Sequence, residues 1–171
     1  MSINKQAEVW LRGSIDGIPA LLQPVAHALL QAREEIHEIL HDFPETLLWQ
    51  RPGGVASVGF HLQHLSGVLD RLFTYAEGRM LSQPQLDYLK AEGVPDEHTT
   101  VTSLLTALDT QLDKVITSLH KIDPATVTEP RTVGRQNLPS TLMGLLFHAA
   151  EHTMRHTGQL LVTVRVLKKA P

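Results

Sequence analysis

The stretch LMGLLFHAAEHTMRHTGQLLVTV, residues 142–164, decides how the chain reads. Leu142, Leu145, Ala149, His152, His156, Gln159 or Leu160, and Thr163 or Val164 recur at steps of three and four, which marks one face of an α-helix. The helix is expected to begin near Pro139-Ser140 and to run to about Leu167. His152 and His156 fall where the pattern calls for core residues. A buried imidazole is costly unless its nitrogens are satisfied, and one metal ion can satisfy two rings together. Residues four apart stand one above the other, with Cβ atoms about 6 Å apart. Two nitrogens sharing tetrahedral zinc must come within about 3.3 Å, from bonds of about 2.05 Å. Converging rings on adjacent turns close that gap. A His-x-x-x-His pair alone is weak evidence, because a single histidine so placed is ordinarily a hydrogen-bonded core or boundary residue. The case rests on two at successive core positions with further histidines on another helix.

Working outward, three more segments carry helical periodicity. From about Leu21 to Phe43 the stripe is Leu22, Val25, Leu29, Ala32, Ile36, Ile39 and Phe43, with Pro24 in the first turn or at an early kink. From about Val55 to Ala76 it is Val58, Leu62, Leu65, Leu69, Leu72 and Ala76, preceded by Gly53-Gly54 and ended by Gly78. From about Val101 to Leu119 it is Val101, Leu104, Leu108, Leu112, Val115 and Leu119, with Thr99-Thr100 as caps. Gln83–Leu89 reads as a short extra helix, and Thr126–Leu138, with Pro130 and Gly134, as an ordered loop. No segment shows the alternation and turn chemistry of paired strands. Four amphipathic helices of roughly twenty residues imply an all-α fold, a four-helix bundle in a single domain over residues 1–171. The long connections leave room for a crossover.

Composition narrows the function classes. The 171 residues are 42% hydrophobic and 19% charged, with 15 Lys plus Arg against 18 Asp plus Glu. A net charge of −3 gives no basic surface for nucleic acid. The cluster Arg165, Lys168 and Lys169 suits the C-terminal end of a helix dipole. Cysteine is absent, so no disulfide, thiolate site or cysteine nucleophile is available, and a reducing cytoplasm is the expected location. Met1 to Trp10 has no apolar stretch of signal-peptide type, and no run approaches a membrane span. The unusual count is ten histidines.

Several of these compete for roles. His148-Ala-Ala-Glu151-His152 matches the His-x-x-Glu-His pattern of inverted zinc peptidases, with Glu151 as candidate base. Against a peptidase, His148 falls at the flank of the core stripe, and too little chain follows to bring a carboxylate ligand. His148 is then expected to support the site or line its mouth. A third ligand should come from a facing helix, where His61 and His64 both sit beside the apolar stripe. Periodicity does not choose between them. His27, His37, His41, His98 and His120 fall off the stripes or in connections and read as exposed.

Two segments together resemble the DinB/YfiT-like bundle proteins: His152-Thr-Met-Arg-His156-Thr-Gly158-Gln159 on the last helix, and His64-Leu-Ser-Gly-Val-Leu-Asp70-Arg71-Leu72 on the second. The resemblance implies an up-down-down-up bundle with a long crossover connection. It implies a metal held by His64, His152 and His156, with Gly158 allowing close helix packing and Gln159 a polar neighbour of the site. His61 and His148 lie outside that triad.

Three neutral histidines with an open coordination position describe a catalytic site more than a closed structural one. Such a metal can act as a Lewis acid, lower the pKa of water or hold a thiolate. The resemblance suggests zinc or nickel, a low-molecular-weight thiol as cosubstrate, and a homodimer. The expectation is a metal-dependent enzyme acting on a small molecule, either a thiol S-transferase or a hydrolase. Arg131 and Arg135, entering the last helix, could attract an anionic substrate, although each also reads as an ordinary loop charge. The alternative is a non-catalytic metal- or ligand-binding bundle, a sensor or an interaction module.

Overall fold

The computed structural model describes residues 7–169. Met1–Gln6, the larger part of the stretch read above for a signal peptide, lie outside the described residues. The elements are α1 (Gln23–Leu40), α2 (Val58–Ala76), α3 (Gln83–Ala91), α4 (Val101–Leu119), β1 (Pro130–Val133), β2 (Leu138–Thr141) and α5 (Leu142–Lys169), with single 3-10 turns between several of them. Among the described residues no helix is long and apolar enough to cross a membrane.

Local chemistry sets the ends of these helices. Pro24 lies in the first turn of α1, where its missing N–H costs nothing. Beyond Leu40 the chain turns at Asp42, whose φ of 53° ends the helix. Ser57 caps α2 by accepting from Phe60 N at 3.1 Å, so the helix starts at Val58, three residues later than the expected Val55. Gly78, at φ 73°, closes it. Thr100 and Ser103 cap α4 reciprocally, and the Glu45 carboxylate accepts from Val101 N at 2.9 Å. An anion there also suits the positive end of the helix dipole.

Two expectations need correction. The segment read as an ordered loop, together with the expected helix start at Pro139-Ser140, forms a two-stranded antiparallel hairpin, with Pro130 opposite Thr141 and Val133 opposite Leu138, so the last helix begins only at Leu142. Pro130 and Pro139 masked it, because a proline within a run argues against a strand. A two-stranded ribbon tolerates proline where its missing N–H would face outward. Gly134 (φ 70°) and Asn137 (φ 50°) make the turn. The fold is therefore mostly helical with a small sheet rather than purely helical. The close-packing role given to Gly158 also fails, since a Cβ there would meet nothing within 4 Å.

The long helices pack side by side around one apolar core, α1 and α2 each against both α4 and α5. All six stripe residues of α4 are buried, and burial of each such leucine contributes about 1.5–3 kcal/mol. Helix α2 is buried nearly all round, Ser66, Gly67 and Arg71 included. Its outer face lies under α3 and β1, which periodicity does not reveal.

Candidate metal centre

Helices α2 and α5 bring four imidazoles together. His64 Nε2 faces His152 Nε2 at 2.9 Å, and His61 Nδ1 faces His156 Nδ1 at 3.1 Å. The rings of His64 and His152 each have their centroid 4.6 Å from that of His156. One ligand atom from each of His64, His152 and His156 falls within 4.8 Å of the others. The Nε2 pair stands close to the separation of about 3.3 Å that two imidazoles adopt around tetrahedral zinc.

Burial disfavours the charged form of three of these rings, His61, His152 and His156. Burial, and then the neighbouring His64, hold His61 down to about 4. Burial followed by His64, His152 and His61 brings His156 to about 4 as well. His152 is lowered by burial and then by His64. Neutral rings with lone pairs are what a metal requires. His152 Nδ1 is buried without a hydrogen-bond partner among the described residues, a cost that a hydrogen-bonded core histidine would not carry. Ligand atoms of three imidazoles that converge from two helices, two of them on rings whose charged form burial disfavours, fit a divalent ion.

The surroundings are built for rigidity. Phe60 stacks nearly parallel on His64, 9° between the planes and 5.2 Å between centroids. Glu92, with 4% of its side chain exposed, reaches His64 Nδ1 at 2.7 Å and Arg71 at 2.6 Å. Nothing local marks Glu92, which lies in a connection without periodicity. Arg71 stood in the quoted motif with no role attached.

His61 lies behind His156 and outside the three-histidine group, so tertiary packing separates the two histidines that periodicity left open. His148 is 46% exposed and its Nδ1 lies 2.7 Å from Glu151 Oε1, with its ring centroid 5.1 Å from that of His152. His148, Glu151 and His152 form a second group able to hold an ion. Arg155 competes for it, reaching both Glu151 oxygens at 2.8 and 2.5 Å. Partial burial pushes the Glu151 carboxyl up, but the hydrogen bonds from Arg155 and then His148 outweigh it and hold the group below its ordinary value. Gln159 is exposed and makes no hydrogen bond to the cluster among the described residues.

Arg131 donates from Nε to Ala76 O at 2.7 Å, clamping the hairpin to the end of α2. That is twelve residues from His64, roughly 18 Å along the helix. Arg135 is exposed in the hairpin turn. A groove of about 670 Å³ between α1 and the C-terminal half of α5 contains none of the clustered histidines.

With this geometry in view, the sequence profile of the DinB superfamily matches residues 28–160, which include both histidine segments. The chain belongs to the DinB superfamily. A comparison with curated proteins finds no match. Among solved structures, this DinB-superfamily chain is similar to a conserved protein of Enterococcus faecalis, with TM-score 0.69, 18% identity, 88% of this chain and 98% of that one covered. It is also similar to a Streptococcus pneumoniae protein, at TM-score 0.62 and 14% identity over 85% of this chain and 88% of that one. An uncharacterized protein of Clostridium difficile 630 matches at TM-score 0.62 and 12% identity, over 85% and 94%. At such identities the likeness is one of fold.

Proposed function

We propose that the protein is a metal-dependent enzyme acting on a small molecule, with zinc or nickel held by His64, His152 and His156. The observation that carries this reading is the convergence of three ligand atoms within 4.8 Å from two helices. Three protein ligands leave a tetrahedral ion one position short, as in catalytic sites. When bound, the ion would supply Lewis-acid polarisation and lower the pKa of a thiol or water. The chain's own residues supply the frame. Phe60 covers one face of His64, burial keeps His156 neutral, and the half-exposed His148 with Glu151 offers a route for a proton to solvent. A thiol S-transferase and a hydrolase differ only in what fills the open position.

The frame is read as an up-down-down-up bundle. His61 meets His156 while His64 meets His152, which supports antiparallel α2 and α5. Arg33 reaches Asp113 while His37 reaches Asp109, which supports antiparallel α1 and α4. Lys168 donates to His41 O, so α1 and α5 end together.

Protein purified without a histidine tag and loaded with zinc or nickel is expected to retain about one ion per chain, against none in His152→Ala. Electrophiles offered with and without low-molecular-weight thiols then separate transferase from hydrolase. Equal metal content in the wild type and His152→Ala would overturn the site. A loaded protein with neither thiol- nor water-dependent turnover would return it to a metal-binding sensor.

A further inference from the structure

The connection between α2 and α4 does more than span a distance. Its helix α3 lies on α2 through polar contacts along its length. The Gln85 amide donates to Asp70 Oδ2 and Thr74 Oγ1, each at 2.7 Å. The Tyr88 hydroxyl donates to Gln63 O at 3.2 Å, and Gly93 N donates to Gln63 Oε1 at 2.7 Å. These contacts flank Glu92, one residue past the end of α3, and turn it inward.

Both Glu92 oxygens are engaged. Oε1 takes Arg71 Nη1 at 2.6 Å and Oε2 takes His64 Nδ1 at 2.7 Å. Gly67 makes room for the pair. A Cβ at that position would meet Arg71 Nη1 at 2.6 Å and Tyr88 Cε1 at 2.8 Å, and would press still closer on Glu92. A bare backbone is needed where carboxylate and guanidinium cross the helix.

An ionised carboxylate only accepts hydrogen bonds. The hydrogen between Glu92 and His64 therefore sits on Nδ1, so that in the neutral ring Nε2 is the nitrogen with the lone pair, and Nε2 is the atom that faces His152. We propose that Glu92 is the positioning residue of His64: it holds the tautomer whose Nε2 lone pair enters the three-histidine cluster. Arg71, Gly67 and α3 serve to hold Glu92 in place. Glu92 touches no ion and acts through the ring. The tautomer claim stands on this geometry alone, while its consequence for affinity rests on the metal reading above.

The test is Glu92→Gln, which keeps volume but offers one acceptor oxygen where two groups demand it. With that oxygen on Arg71, the amide NH2 faces His64 and the ring must move its hydrogen to Nε2. In 15N NMR of the metal-free full chain at pH 8, with His64 identified by its loss in His64→Ala, the wild type is expected as the Nδ1–H tautomer. Glu92→Gln is expected to show the Nε2–H form. Zinc affinity, measured by chelator competition, is expected to fall about 10–100-fold. The same substitution in a His64→Ala background should change affinity no further.

An Nε2–H or doubly protonated His64 in the wild type would overturn the proposal. So would unchanged zinc affinity in Glu92→Gln, or an equal loss in the His64→Ala background, which would mark a merely structural ion pair. If the wild type binds no zinc yet shows the expected tautomer and its change, the positioning role stands and the metal reading falls.

Discussion

His61 on α2 and His156 on α5 face each other through their Nδ1 atoms at 3.1 Å. Both are held neutral, so one proton lies between them and one ring must donate while the other accepts. His61 is only 3% exposed. It is thus placed to orient His156 without joining the three-histidine group.

Replacing His61 by phenylalanine keeps the ring and removes the hydrogen bond. Zinc retention in chelator competition is expected to weaken by about tenfold or more. The orphaned His156 nitrogen should also cost about 1–3 kcal/mol in denaturant unfolding. Unchanged zinc retention would reduce His61 to a polar core residue.

Acid should destabilise the metal-free protein in a defined window. Burial holds His61 and His156 at about 4 in the folded chain, whereas an unfolded histidine takes its proton near about 6.5. Between those values the unfolded chain binds protons that the folded chain refuses. The contribution of these two rings is therefore full above about 6.5, falls as pH drops, and levels off below about 4. Metal binding needs the same lone pairs and weakens in the same direction. Thermal denaturation at pH 7, 6 and 5 should give a falling Tm, with a shallower fall in His61→Phe. A flat Tm across that range would contradict buried neutral rings.

Two helical glycines should respond in opposite ways to alanine. A Cβ at Gly158 meets nothing within 4 Å, so Gly158→Ala gains helix propensity of about 1 kcal/mol and should raise Tm by about 2–4 °C. At Gly59 a Cβ would run into the Trp49 ring, and Gly59→Ala should lower Tm. A lower Tm for Gly158→Ala would restore the close-packing role that the structure removes.

Arg131 separates a structural from a substrate-binding role. Losing its bond to Ala76 O, Arg131→Ala should cost about 1 kcal/mol of stability. Zinc affinity and the KM for an anionic substrate should stay as in the wild type. A raised KM with unchanged stability would place it at the site after all.

Legibility followed the range of the interaction. The α4 stripe was readable because one face of a 3.6-residue period meets the core, and its six residues are all buried. On α2 the same reasoning saw one face only, and missed Arg71 and Ser66, because α3 and β1 cover the other. The hairpin carried prolines and no alternation, so nothing local marked it as paired. Glu92 lies 28 residues from His64, in a connection whose pattern carries no hint of what it approaches.

By itself, then, the sequence determined the long helices and the spacing of His152 and His156, because a turn of α-helix places residues four apart together whatever surrounds it. Where periodicity left His61 and His64 open, the tertiary structure brings His64 within reach of His152 and His156, and it alone places Glu92 behind His64. Those relations depend on how α2 rotates against α5 and where α3 lands. Such packing is set by many side chains at once, and no single helical period encodes it.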